Sequence, residues 1–163
     1  MQNSELLIRS TASLAFLLYV AALGMRTRRP DWSRTAWTAG CGMFLIHVAC
    51  AFQFAHHWSH AAALEATARQ TFAATGFNSG AGLWLNYTVM LVWTADALWW
   101  CAARESYEVR PRVVRILVQG FLGFMWFNAT VVFGHGPARW LGVAAVILGL
   151  RVAAHKIYGK GLS

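Results

Sequence analysis

Five apolar runs constrain this chain more than any motif in it. They read LAFLLYVAALGM, CGMFLIHVACAFQF, LWLNYTVMLVWTADALWW, ILVQGFLGFMWFNATVVF and WLGVAAVILGL, with polar or basic segments between them. A helix needs about 20 mostly apolar residues to cross the hydrocarbon core of a bilayer, and each run reaches that length once its flanks are added. The runs predict an all-α, polytopic integral membrane protein, a single bundle of five transmembrane helices near 6–25, 36–60, 81–103, 113–134 and 137–157. Composition agrees: 58% of the 163 residues are hydrophobic and 12% are charged, about half the charged share of a soluble domain. The first run is expected to stay as a span. Its leading MQNSELLIRS is nearly neutral and the basic cluster RTRR follows the run, the reverse of a cleavable signal.

The net charge of +8 reads as topology. Arg26, Arg28, Arg29 and Arg34 fall between the first two spans, Arg104, Arg110, Arg112 and Arg115 between the third and fourth, and Lys156 and Lys160 after the fifth. These are ten of the 14 basic residues. The positive-inside rule then places the N-terminus outside and the C-terminus inside, which five crossings require. Trp32, Trp37, Trp99 and Trp100 fall near the inner boundary, and Trp58, Trp84 and Trp140 near the outer one, as an aromatic belt would have them. The arginines alternate with no stacking or groove-reading element, so no nucleic-acid partner is expected. A bacterial cytoplasmic (inner) membrane is the expected location, with the lipid bilayer and either other membrane subunits or further copies of the chain as partners.

Cys41, Cys50 and Cys101 lie within spans at spacings that fit no zinc motif, and they read as small buried apolar residues. The sequons at Asn86 and Asn128 also lie within spans, where no glycosylation is expected. The longest connection, roughly 61–80, opens with AAALEATARQT, rich in strong helix formers, so the second helix is expected to continue two or three turns past the membrane. GFNSGAG then turns the chain back.

Ionisable groups inside spans are costly and default to functional candidates. Asp96 lies about two-thirds of the way from the outer to the inner face at 1.5 Å rise per residue, and Arg151 has a similar depth on the fifth span. The two are expected to pair. The outer half holds more polarity. His47 is near the midplane, Asn86 and Tyr87 are on the third span and Asn128 is on the fourth. His56, His57 and His60 end the second span, and His135 ends the fourth at a similar height.

On a continuous helix His56 and His60 share a face, and His57 and His60 are neighbours. Two imidazoles from this face, a third from His135 and an oxygen from Glu65 would make a set suited to a copper, zinc or iron ion. Haem b is the other expectation, held between His57 or His56 and His135. The span count is similar to that of the five-helix cytochrome b subunits of respiratory reductases, which ligate haems from helices two and five. Here the fifth span carries only His155, at its inner end, so that resemblance implies no inner haem. Three functions follow in order of preference. The first is a metal- or haem-binding subunit of a membrane redox or metal-handling complex. The second is a non-catalytic structural or assembly subunit with interfacial histidines. The third is a small transporter using Asp96, Arg151 and His47.

Overall fold

Arg26-Thr27-Arg28-Arg29 turns the chain between α1 (Gln2–Met25) and α2 (Pro30–Ala51). The amides of Arg28 and Arg29 both donate to Met25 O, closing the first helix. Pro30 then opens the second, where a missing N–H costs nothing. Two contacts fix the register of this antiparallel hairpin. Ser33 Oγ donates to Ala22 O at 2.7 Å near the turn, and His47 Nδ1 lies 3.0 Å from Ile8 O at the far end. The residue numbers sum to 55 in both pairs, so the helices run side by side without slippage. The computed structural model describes residues 2–133 together with 139, 140, 142 and 143.

α4 (Gly82–Ala102) packs on this hairpin. Its buried residues Leu83, Val89, Trp93, Asp96, Ala97 and Trp100 fall on one stripe, while Leu91 and Leu98 are exposed on the other side. At the centre Tyr19, Trp37 and Trp93 meet with ring centroids 5.5–5.8 Å apart. Gly40 makes that approach possible, since a Cβ there would stand 3.1 Å from Trp93 and 3.2 Å from Leu18 Cβ. Among the described residues, three helical segments are long and apolar enough to cross a membrane: Asn3–Met25, Pro30–His56 and Arg112–Val132. α4 is of similar length but is not among them, and it carries Asn86 and Asp96 within its run. The expected span at 137–157 falls almost wholly outside the described residues.

The second helix does not run on as one rod. After Ala51 it widens into a π turn, Phe52–His56. The chain then breaks through two consecutive left-handed residues, His57 (φ 49°) and Trp58 (φ 58°). Ser59 starts a separate helix, α3 (His60–Thr75), by accepting from Ala62 N. The helix-forming composition of 61–71 is therefore realised, but in a new helix rather than an extension. Gly76, at φ 78°, closes it, as a left-handed glycine commonly does. The loop that follows packs back on α3, because a Cβ at Gly80 would collide with Leu64.

A five-residue helix, α5 (Arg104–Glu108), separates α4 from α6 (Arg112–Phe127), which leads into a second π turn, Asn128–Val132. Two compact units result, residues 1–122 and 123–163. In the second unit Thr130 Oγ1 donates back to Trp126 O, and Asn128 Nδ2 to Phe124 O. A side chain at Gly142 would have no room beside Thr130.

Candidate functional site

Polar residues of the first unit gather at two ends. One holds the π turn of the second helix, the start of α3 and the start of α4. We call it the histidine end. The other holds the α1–α2 turn, α5 and the start of α6, and is the arginine end.

At the histidine end Phe52 and Tyr87 stack at 6.4 Å, and Trp58 lies 5.9 Å from Phe52. The Trp58 indole donates to Gln53 Oε1 at 2.8 Å, which holds the strained turn over its own π segment. His60 joins this cluster from the first turn of α3. Its ring stacks on Tyr87 at 5.9 Å and meets Trp84 at 5.5 Å, and its Nδ1 lies 3.0 Å from the Tyr87 hydroxyl. The imidazole is exposed. When Nδ1–H donates to the phenol oxygen, the neutral ring keeps its lone pair on Nε2, the atom a metal or haem iron would take. His47 is set more firmly. A backbone carbonyl only accepts, so its Nδ1–H must donate to Ile8 O, which leaves the Nε2 lone pair unused.

The remaining expected ligands lie as follows. His56, the last residue of the π turn, packs edge-on against Phe52 at 5.6 Å. His57 is exposed in the left-handed break. The break cancels the helical spacing on which a shared face for His56 and His60 depends, because an i,i+4 relation needs unbroken helix. Glu65 is bound to Arg69 one turn along α3. Asn86 is exposed, and Asn128 belongs to the second unit. His135 lies outside the described residues. Among the described residues, no three His, Cys, Asp or Glu side chains are gathered as a metal ion would need.

Comparison with protein-family models, curated proteins and solved structures finds no match. The site itself must therefore carry the functional argument.

The arginine end holds a cluster that sequence spacing did not reveal. Tyr107 OH donates to Asp96 Oδ2 at 2.8 Å, and Arg110 Nη2 stands 3.7 Å from Asp96 Oδ1. The Arg110 guanidinium lies over the Tyr107 ring at 3.4 Å, Tyr107 stacks on Trp100 at 4.7 Å, and Arg26 covers Trp100 at 5.3 Å. Asp96, Tyr107 and Arg110 are all buried, at 4%, 2% and 6% exposure. Burial, reinforced by the Asp96 charge, lifts the Tyr107 phenol to about 12, so it remains a donor at any physiological pH. Arg104 bridges Asp31 and Glu108, both at 2.8 Å, and ties the same short helix to the start of α2.

Asp96 thus finds its partners on the connection after its own helix. Arg151, the partner expected from depth, lies outside the described residues. Tyr107 and Arg110 were hidden because α5 is too short to show a period, and Arg110 reads in sequence as one more charge in a basic loop. The useful signal was proximity. Asp96 precedes Tyr107 by 11 residues, so a helix that ends soon after Asp96 can turn its own loop back onto it.

Proposed function

We propose that this chain is an integral protein of a bacterial cytoplasmic membrane, crossing it five times with its N-terminus outside. In this reading it binds a metal ion or haem at its histidine end, as a subunit of a redox or metal-handling complex. The exposed leucine face of α4, the tryptophans at both its ends and the arginines gathered at one end of the bundle support its counting as a span. The observation that carries the ligand is the His60–Tyr87 pair. An exposed imidazole whose Nδ1 is hydrogen-bonded by a second side chain has its ring oriented as metal ligation uses it, and with Nδ1–H as the donor its Nε2 is the ligating atom. His56, His57 and His135 are the partner ligands in this proposal. His47 is the inner polar neighbour and Glu65 an outer acid. Copper, zinc and iron fit imidazole ligands, and haem b fits a pair of them.

Spectroscopy and metal analysis of the full chain purified in detergent test this reading. A Soret band, or one equivalent of metal without a Soret band, is the expected result. His60→Ala should abolish it, and Tyr87→Phe should weaken binding roughly 10–100-fold, as loss of a partner that orients a ligand does. Wild-type protein containing neither haem nor metal after reconstitution with both would overturn it.

A second reading, a structural or assembly subunit with interfacial histidines, is favoured by one observation. The break at His57 and Trp58 separates His56 from His60. In that case His60→Ala changes only stability.

A further inference from the structure

We propose that the arginine end is a docking surface for the phosphate headgroups of acidic lipids, through Arg26, Arg28, Arg29, Arg112 and Arg115. This rests on the membrane-spanning reading, but not on any ligand at the histidine end.

Three contacts bring these residues to one end of the first unit. Arg26 lies over Trp100, so the exit of α1 meets the exit of α4. Arg104 reaches Asp31, so the start of α5 meets the start of α2. Arg110 reaches Asp96 and thereby anchors the residues from which α6 starts. Arg112 opens that helix, and Arg115 follows in its first turn.

All but one of the carboxylates at this end are already engaged. Asp31 faces Arg104 and Arg34, Glu108 faces Arg104, and Asp96 faces Tyr107 and Arg110. Among the described residues, Arg28, Arg29, Arg112 and Arg115 have no carboxylate partner within ion-pair distance and are exposed, while half-buried Arg26 also feels the charge of Asp96. Only Glu105 at the same end is without a salt bridge. Arg112 and Arg115 also place positive charge in a helix first turn that contains no acid. Cations are unfavourable there, and an anion alongside relieves the mismatch.

Topology alone would be served equally by lysine. Every basic residue in the described part, at this end as elsewhere, is an arginine, and the two lysines of the chain are Lys156 and Lys160. The guanidinium fork matches two oxygens of one phosphate, which an ammonium does not. Lipid phosphates lie at the depth where a spanning helix emerges, so the partner is a headgroup rather than a soluble anion. An uncompensated negative headgroup answers an uncompensated positive surface.

The test uses full-length protein in neutral detergent, titrated with phosphatidylglycerol or phosphatidylcholine and read by native mass spectrometry and thermal shift. We expect phosphatidylglycerol to bind and raise the melting temperature, and the response to shrink as salt is added. Phosphatidylcholine and inorganic phosphate at matched concentration should give neither effect. Changing Arg28, Arg29, Arg112 and Arg115 together to Gln should weaken phosphatidylglycerol binding roughly a thousandfold. The matching Lys variant keeps the charge and the topology signal and should still bind several-fold more weakly than wild type. Arg9→Gln and Arg69→Gln, at the opposite end, should change nothing.

Equal binding of phosphatidylcholine, full replacement by inorganic phosphate, or a Lys variant that binds like wild type overturns the proposal. If haem and metal are both absent but phosphatidylglycerol binds as described, only the histidine-end reading fails.

Discussion

At the arginine end a carboxylate, a phenol and a guanidinium are buried together, joined by the Tyr107–Asp96 hydrogen bond and a 3.7 Å ion pair. At the histidine end His57 and His60 are exposed, and His57 with Trp58 sits on a backbone that is out of its easy range. Asp96 and Arg110 have side-chain exposures of 3% and 1%, while His57, Trp58 and His60 are open to their surroundings. The first arrangement suits a lock, in which polar groups face inward and fix how α5 closes the bundle. The second suits a receptor. A left-handed residue other than glycine costs roughly 1–2 kcal/mol, and two in succession persist only where the surrounding packing imposes them. The Trp58–Gln53 hydrogen bond and the Phe52–Tyr87 stack supply that packing.

Breaking the lock should have the largest effect. Arg110→Met leaves the Asp96 carboxylate buried without its cation and should destabilise the protein by about 3–5 kcal/mol, measured by denaturant titration in detergent. Asp96→Leu with Arg110→Met should recover most of that loss. If Arg110→Met alone is neutral, the cluster is not a lock.

Next comes the packing beneath it. Gly40→Ala pushes a methyl against Trp93 and Leu18 Cβ and should cost about 1–3 kcal/mol as overpacking, with an accompanying change in tryptophan fluorescence.

The histidine end should respond in the opposite direction. His57→Gly relieves a left-handed conformation and should be neutral or stabilise by up to about 1 kcal/mol. A clear loss of thermal stability would mean that the His57 side chain, and not its backbone, holds the turn.

A last effect is confined to alkaline solution. Tyr107 has a folded pKa raised from 10.0 to about 12. Its stabilising contribution is therefore complete below pH 10 and lost as pH rises towards 12. A spectrophotometric titration should show a late-ionising phenol that Tyr107→Phe removes.

The helices were legible because their signal is local. The apolar runs of α1, α2 and α6 are long, and Pro30 and Gly76 stand where a helix start and a helix stop need them. The break at His57 was not legible. Nothing in Ala-His-His-Trp-Ser announces two left-handed residues, and Ala61–Ala63 favour helix immediately after the break. Depth counting placed Asp96 in a span but could not see that Tyr107 folds back to it, because depth describes one helix at a time. His47 was legible as an intramembrane histidine, but its acceptor is the backbone of α1, which has no sequence signature at all.

The sequence by itself determined that this is a helical chain with segments fit to cross a membrane, and that its basic residues cluster around particular connections. Both follow from the length of apolar runs and the position of charges along the chain, which do not depend on how helices pack. Tertiary structure alone decided which polar groups meet. It joined Asp96 to Tyr107 and Arg110, His60 to Tyr87, and His47 to Ile8 O. It did so because a hydrogen bond a few ångströms long depends on helix register and on where a helix breaks, and both are set by packing among aromatic rings distant in sequence.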